Sequence, residues 1–141
     1  MFGSSTHTMD AKGRLFLPAR LKRELGDTFY ATIYAVEERK CLIVFSEEGW
    51  KAFSDKARTV SYKNKGSAIA VTAMAAQLEP DSQGRFLLPQ VLRDYAGLKK
   101  DVVMVGHSGH AEIWDSDEWN GFLGGTLAAP SLENLFEELN P

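Results

Sequence analysis

Met9-Asp10-Ala11-Lys12-Gly13-Arg14-Leu15-Phe16-Leu17-Pro18 decides how this chain is read, because it recurs. Its second copy, 71 positions on, is Glu79-Pro80-Asp81-Ser82-Gln83-Gly84-Arg85-Phe86-Leu87-Leu88-Pro89. Both copies hold Asp-x-x-Gly-Arg, three apolar residues ending in Leu, and Pro. From Asp10 to Gly26, seven of seventeen positions match their counterparts, including Leu21/Leu92 and Gly26/Gly97. Gly, Pro and an Asp/Arg pair kept in register mark a duplicated unit.

Within the first copy, Thr6 to Met9 is β-prone and Asp10 to Gly13 is turn chemistry. An Asp side chain can accept from backbone two residues on, and Gly13 tolerates positive φ. Arg14 to Leu17 reads as a return strand, so Asp10 to Arg14 is expected at the tip of a β-hairpin. Pro18 suits a helix N1 position, and the short helix it opens ends at Gly26. A strand follows over Thr28–Val36, then a charged turn, then the apolar strand Cys41–Phe45, expected to be buried on both faces. Ser46 caps a helix running to about Arg58, with Trp50 and Phe53 inward.

The second copy repeats the order. The expected strands are Ala73–Glu79, Arg85–Leu88, Asp101–Gly106 and Ala111–Trp114. A helix starts at Pro89 and ends near Gly97, and Asp115 or Ser116 caps another carrying Trp119 and Phe122. Phe45 aligns with Trp114 and Trp50 with Trp119, so the later hairpin is about two residues shorter. Residues 1–60 form the first repeat, 61–72 a linker, 73–123 the second repeat and 124–141 an acidic tail. Gly124-Gly125 reads as a hinge. Beyond it, Leu132, Leu135, Phe136 and Leu139 fall on one helical face, opposite Glu133, Glu137 and Glu138. That stripe requires cover from this chain or a neighbour.

With 44% hydrophobic and 25% charged residues, the 141-residue chain has the balance of a globular protein, not a disordered one. It contains no run long enough to span a bilayer and no signal-peptide pattern at its start, which predicts a cytoplasmic location. The net charge of −3 hides an asymmetry. Residues 1–100 hold 16 basic and 11 acidic groups, whereas the remainder holds eight acidic groups and no Lys or Arg. A basic body of this kind fits a polyanion-binding surface.

Arg14 and Arg85 are the leading binding candidates. A guanidinium at a rigid tip can donate two hydrogen bonds to guanine O6 and N7. The residues equally allow a pair with Asp10 or Asp81 that only fastens the turn. Lys12 faces Gln83 in the other copy, so the first loop is the more basic and is expected to dominate. Asp10, Gly13, Asp81 and Gly84 structure the loops. Arg20, Lys22 and Arg23 on the following helix, with Arg93 matching Lys22, are candidates for phosphate neutralisation.

Other chemistry finds little support. His107 and His110 supply two ligands without a third, too few for a metal site. Cys41 lies in an apolar run and reads as a structural thiol. Trp50, Trp114 and Trp119 read as core. No nucleophile–base pair, P-loop or dinucleotide fingerprint is present, and Glu47/Glu48 start a helix. No enzyme, cofactor or small-molecule substrate is expected.

The duplicated unit resembles the MraZ family of bacterial transcription regulators. The match rests on Met1-Phe2-Gly3, Asp10 to Pro18, Asp81 to Pro89, Tyr95 to Leu98, Val102 to Gly106, and Glu112-Ile113-Trp114 with Trp119. It covers roughly residues 1–122; the tail after Gly124 shows no clear counterpart. The resemblance implies an α+β fold of two tandem AbrB-like swapped-hairpin (double-split β-α-β) halves forming one pseudo-symmetric domain. It implies a homo-oligomeric ring that binds tandem promoter repeats in double-stranded DNA through the Asp-x-x-x-Arg loops. The expected outcome is repression of the division and cell-wall gene cluster, in the cytoplasm at the nucleoid. The alternative reading is an antitoxin-type protein–protein interaction module that docks through its C-terminal helix.

Overall fold

A computed structural model describes residues 1–141. In chain order the elements are β1 (Ser4–Thr8), β2 (Arg14–Phe16), α1 (Ala19–Leu25), β3 (Phe29–Val36), β4 (Arg39–Ser46) and α2 (Glu47–Ala57). A 3₁₀ turn (Tyr62–Asn64) leads into α3 (Lys65–Ala73), β5 (Ala76–Leu78), β6 (Arg85–Leu87) and α4 (Gln90–Ala96). β7 (Asp101–His107), β8 (His110–Asp115), α5 (Ser116–Thr126) and α6 (Ala129–Leu139) complete the chain.

Six strands form one antiparallel sheet in the order β1-β7-β8-β4-β3-β5. The order is symmetric about the β8/β4 seam, with β1 matching β5, β7 matching β3 and β8 matching β4. Each half lends its first strand to the other: β1 pairs with β7, and β5 with β3. The remaining two strands, β2 and β6, pair only with each other in a short ribbon. The two repeats are thus intertwined.

Alternation along the strands separates two packed faces. Phe29, Ala31, Leu42, Val44, Val102, Met104, Ala111 and Ile113 share one core with Leu15 and Leu17, with Leu21 and Leu25 of α1, and with Phe86, Leu88, Leu92 and Ala96. Phe29 meets Phe86 edge-on at 5.2 Å between ring centroids. Each large side chain buried this way contributes about 1.5–3 kcal/mol over an exposed one. On the opposite face, Trp50 of α2 stacks on Tyr30 at 5.4 Å, and Phe53 stacks on Phe45 at 5.0 Å. In α5, Trp119 and Phe122 pack on Trp114, each 5.2 Å away. Cys41 to Phe45 is buried throughout because helices cover the sheet on both sides.

Buried polar groups find partners. Thr32 Oγ1 donates to Val71 O of α3 at 2.6 Å. Trp114 Nε1 donates to Glu112 Oε1, and His110 Nε2 lies 2.9 Å from Glu112 Oε2. Asp115 accepts from Lys99 N and from Asp117 N, the latter as the cap of α5. Burial, then the Glu112 charge, pushes the Cys41 thiol up to about 12, which keeps it neutral and unreactive.

Several expectations need correction. The turn at Asp10–Arg14 closes, with Asp10 N donating to Arg14 O at 3.0 Å, yet its flanking strands are not a paired hairpin. They diverge: β1 joins the sheet beside β7, and β2 joins the ribbon, where its core-facing Leu15 stands opposite Phe86. Pro18 is the extended N-cap of α1, one position outside the helix, and its carbonyl accepts from Leu21 N and Lys22 N. The strand expected from Ala73 begins at Ala76, since α3 extends through Ala73. Gly124 and Gly125 are no hinge: α5 runs through both to Thr126. Two glycines cost helix propensity, and the packed aromatic stretch at Trp119 and Phe122 outweighs that cost.

Candidate nucleic-acid interface

The β2–β6 ribbon positions the candidate residues. Leu15 and Phe86 are cross-strand partners pointing into the core. By strand alternation Arg14, Phe16, Arg85 and Leu87 all point the other way. Arg14 stands opposite Leu87 and Arg85 opposite Phe16, so the two arginines lie on one diagonal of one face. Such diagonal neighbours are roughly 7–8 Å apart. Phe16 is 49% exposed and Leu87 54%. The outer face is therefore two guanidiniums framed by two large apolar side chains. Tertiary pairing joins residues far apart in sequence into a single patch.

Both loops use the same backbone device. Asp10 Oδ1 accepts from Lys12 N at 3.0 Å and Arg14 N at 2.9 Å; Asp81 Oδ1 accepts from Gln83 N at 2.9 Å and Arg85 N at 3.0 Å. Gly13 N and Gly84 N each donate to the carbonyl of their Asp at 3.0 Å. The glycines are required, with φ of 87° and 80°. The loops are also cross-stitched: Leu88 N donates to Gly13 O, and Leu17 N to Gly84 O. Each tip is anchored to the opposite repeat.

The side chains differ. Arg14 Nε donates to Asp10 Oδ2 at 2.7 Å, leaving its terminal nitrogens free of that contact. Arg85 makes no pair with Asp81; its Nη1 donates to Gln83 Oε1 at 3.3 Å. The turn-fastening arrangement thus exists in the first loop only. Backbone and side-chain bonds from Arg14 hold the Asp10 carboxyl at about 2. Asp81 is also lowered, chiefly by the Arg85 and Gln83 backbone N–H groups, with the Arg14 charge contributing across the ribbon. Bonds of this kind favour the ionised form, so both carboxylates stay charged near neutrality.

The other candidates scatter. The Lys12 side chain is exposed at the first tip. Lys22 and Arg23 are exposed in the last turn of α1, where cations complement the helix dipole. Arg20 is occupied internally. Its guanidinium donates to Ser5 Oγ at 2.8 Å, Phe2 O at 3.2 Å and Met104 O at 3.3 Å, tying α1 to β1 and β7. Burial, with Arg20 second, lowers the His7 imidazole. Arg93 approaches the first loop instead. Its guanidinium lies over Gly13 while its Nε donates to Leu88 O at 2.9 Å. Phe16 and Leu87 belong to the exposed patch but read in the sequence as members of apolar runs. The alternation of Leu15 and Leu17, both buried, was the available signal.

Comparison with known proteins is consistent with the internal duplication. The model of the MraZ protein family, described as antitoxin-like, matches twice, over residues 1–70 and 71–139. The chain belongs to the MraZ family. A protein named transcriptional regulator MraZ from Carboxydothermus hydrogenoformans is 43% identical over 140 residues, covering 97% of this chain and 94% of its own. Proteins of the same name are 38% identical in Heliobacterium modesticaldum, over 97% of this chain and 94% of theirs, and in Acetivibrio thermocellus, over 87% and 86%. The family match extends to residue 139, so the tail beyond Gly124 does have a family counterpart. No helix is long and apolar enough to cross a membrane.

Proposed function

We propose that this MraZ-family chain is a transcription regulator that binds double-stranded DNA sequence-specifically through the outer face of the β2–β6 ribbon. The observation that carries the reading is the pairing that sets Arg14 and Arg85 on one exposed face. The major groove, about 12 Å wide, admits a two-stranded ribbon, and arginine is its commonest reader of guanine. Asp10 pre-orients Arg14 through the Nε contact, which lowers the entropy lost on binding. Lys12, Lys22, Arg23 and Arg93 add phosphate attraction, while Asp81, Gly13 and Gly84 hold the geometry. Arg20 serves the fold. The names of the relatives support a role in transcription.

One ribbon is a small reader. Avidity from a homo-oligomeric ring on tandem promoter repeats supplies affinity that a single subunit lacks. In this reading the halves are AbrB-like swapped hairpins, consistent with the exchange of β1 and β5 between repeats. The protein represses the division and cell-wall cluster from the cytoplasmic nucleoid. A gel shift with the DNA upstream of the gene tests the site. Arg14→Ala and Arg85→Ala should each lose about 1–3 kcal/mol per contact, roughly 5- to 150-fold. An unchanged shift for the double variant overturns the assignment, and equal binding of one repeat and the tandem set overturns avidity.

A further inference from the structure

Two large apolar side chains stand where a surface built only to attract phosphate would be polar. Strand alternation sends Leu15 and Phe86 into the core and leaves Phe16 and Leu87 outside, on the face that carries Arg14 and Arg85. Each keeps about half of its surface open to solvent. Cations at these positions would strengthen phosphate binding; a phenyl ring and an isobutyl group do not. The duplication makes the same choice twice, because Phe16 and Leu87 are equivalent positions, 71 residues apart, and both are large and apolar.

The phenyl ring is held in place. Its edge lies against the opposite tip, where a Cβ added to Gly84 would be 3.0 Å from Phe16 Cε1. The next residue, Leu17, donates its backbone N–H to Gly84 O at 2.9 Å. A ring fixed in this way loses little freedom when a ligand meets it. Each apolar side chain also stands directly across the ribbon from a guanidinium, Leu87 from Arg14 and Phe16 from Arg85. Residues paired across strands have Cβ atoms about 4.5–5.5 Å apart, and successive base pairs rise by about 3.4 Å. An arginine on a guanine therefore sets its apolar partner one or two base pairs away. Of the four bases only thymine shows an apolar group in the major groove, its C5-methyl, and Phe is among the side chains that suit it.

We infer that Phe16 and Leu87 read thymine, each packing on the C5-methyl of a thymine one or two base pairs from the guanine that its partner arginine holds. The inference rests on DNA binding by the outer ribbon face and adds the second base that this face takes. Arginine alone accepts guanine whatever its neighbours. The apolar partner disfavours cytosine at the neighbouring place, because cytosine offers an N4 amino donor there and no methyl. The two strands run antiparallel and carry arginine and apolar residue in opposite order, so each half of the ribbon makes one guanine and one thymine contact.

Deoxyuridine differs from thymidine only in lacking that methyl, so the test needs no knowledge of the operator. The DNA upstream of the gene is made in two forms, with thymidine or with deoxyuridine throughout, and both are titrated with the full chain by gel shift. Wild type should bind the uracil form at least about fourfold more weakly, the effect of one buried methyl. Phe16→Ala and Leu87→Ala should each lose part of that difference, and the double variant should bind the two forms equally. Both positions are half exposed, so the variants should fold, and circular dichroism checks this. If wild type binds the two forms equally while Arg14→Ala and Arg85→Ala still weaken binding, this inference is overturned and the ribbon reading stands. A uracil effect that persists in the Phe16→Ala, Leu87→Ala variant also overturns it, since the methyl then acts elsewhere. A loss on Phe16→Ala that is the same on both forms marks a wedge between base steps, and overturns it too.

Discussion

Gly13 gives the sharpest test of how the first loop is built. Its φ of 87° is a conformation that side chains resist, and a Cβ built there would lie 2.5 Å from Arg93 Cζ. Gly97, the left-handed C-cap of α4 at φ 62°, has no atom within 4 Å of the same position. Gly97→Ala therefore reports backbone strain alone, about 1–2 kcal/mol. Gly13→Ala adds displacement of Arg93, whose Nε then loses its bond to Leu88 O. A bond of that kind contributes about 1 kcal/mol net. The expected totals are about 1–2 kcal/mol for Gly97→Ala and about 2–3 kcal/mol for Gly13→Ala. Urea unfolding followed by the fluorescence of the three tryptophans, at fixed protein concentration and with unchanged m, measures both. A double-mutant cycle isolates the cause: with Arg93→Ala already present, Gly13→Ala should cost only the strain. If Gly13→Ala matches Gly97→Ala, or the cycle shows no coupling, the packing of Arg93 on the loop is not what fixes Gly13.

Three further outcomes follow from the site and its supports. The Asp10 carboxyl should titrate at about 2 by carbon NMR, and Arg14→Ala should raise it. Because that value lies below the ~3.9 of an unstructured Asp, the loop's stabilisation is full above that pH and fades as pH falls towards 2; a midpoint near the unstructured value refutes the ion pair. Phe16→Ala should weaken DNA binding about fivefold without altering its salt slope, since the lost contact is apolar; a changed slope or unchanged affinity counts against the ribbon face. Arg20→Ala should lower thermal stability and leave the salt slope alone, whereas a slope reduced by about one marks a phosphate contact instead.

The sequence alone determined what depends on near neighbours. Asp10 and Asp81 bond backbone two and four residues away, so both turns are legible from spacing, as are Ser46 and Asp115 capping their helices. The glycines at positive φ and the apolar period of α6 are equally local. Tertiary structure decided what depends on partners distant in the chain. β1 abandons β2 for β7, nearly a hundred residues on, because a β-prone segment does not itself name its mate. That choice put Arg14 beside Arg85, drew Arg20 inward, and left Arg85 free of Asp81 while Arg14 is held by Asp10. It also exposed Phe16 and Leu87, which a run of apolar letters does not distinguish from their buried neighbours Leu15 and Phe86. The repeat of Asp-x-x-Gly-Arg announced two tips; only the long-range pairing of their following strands made them one surface.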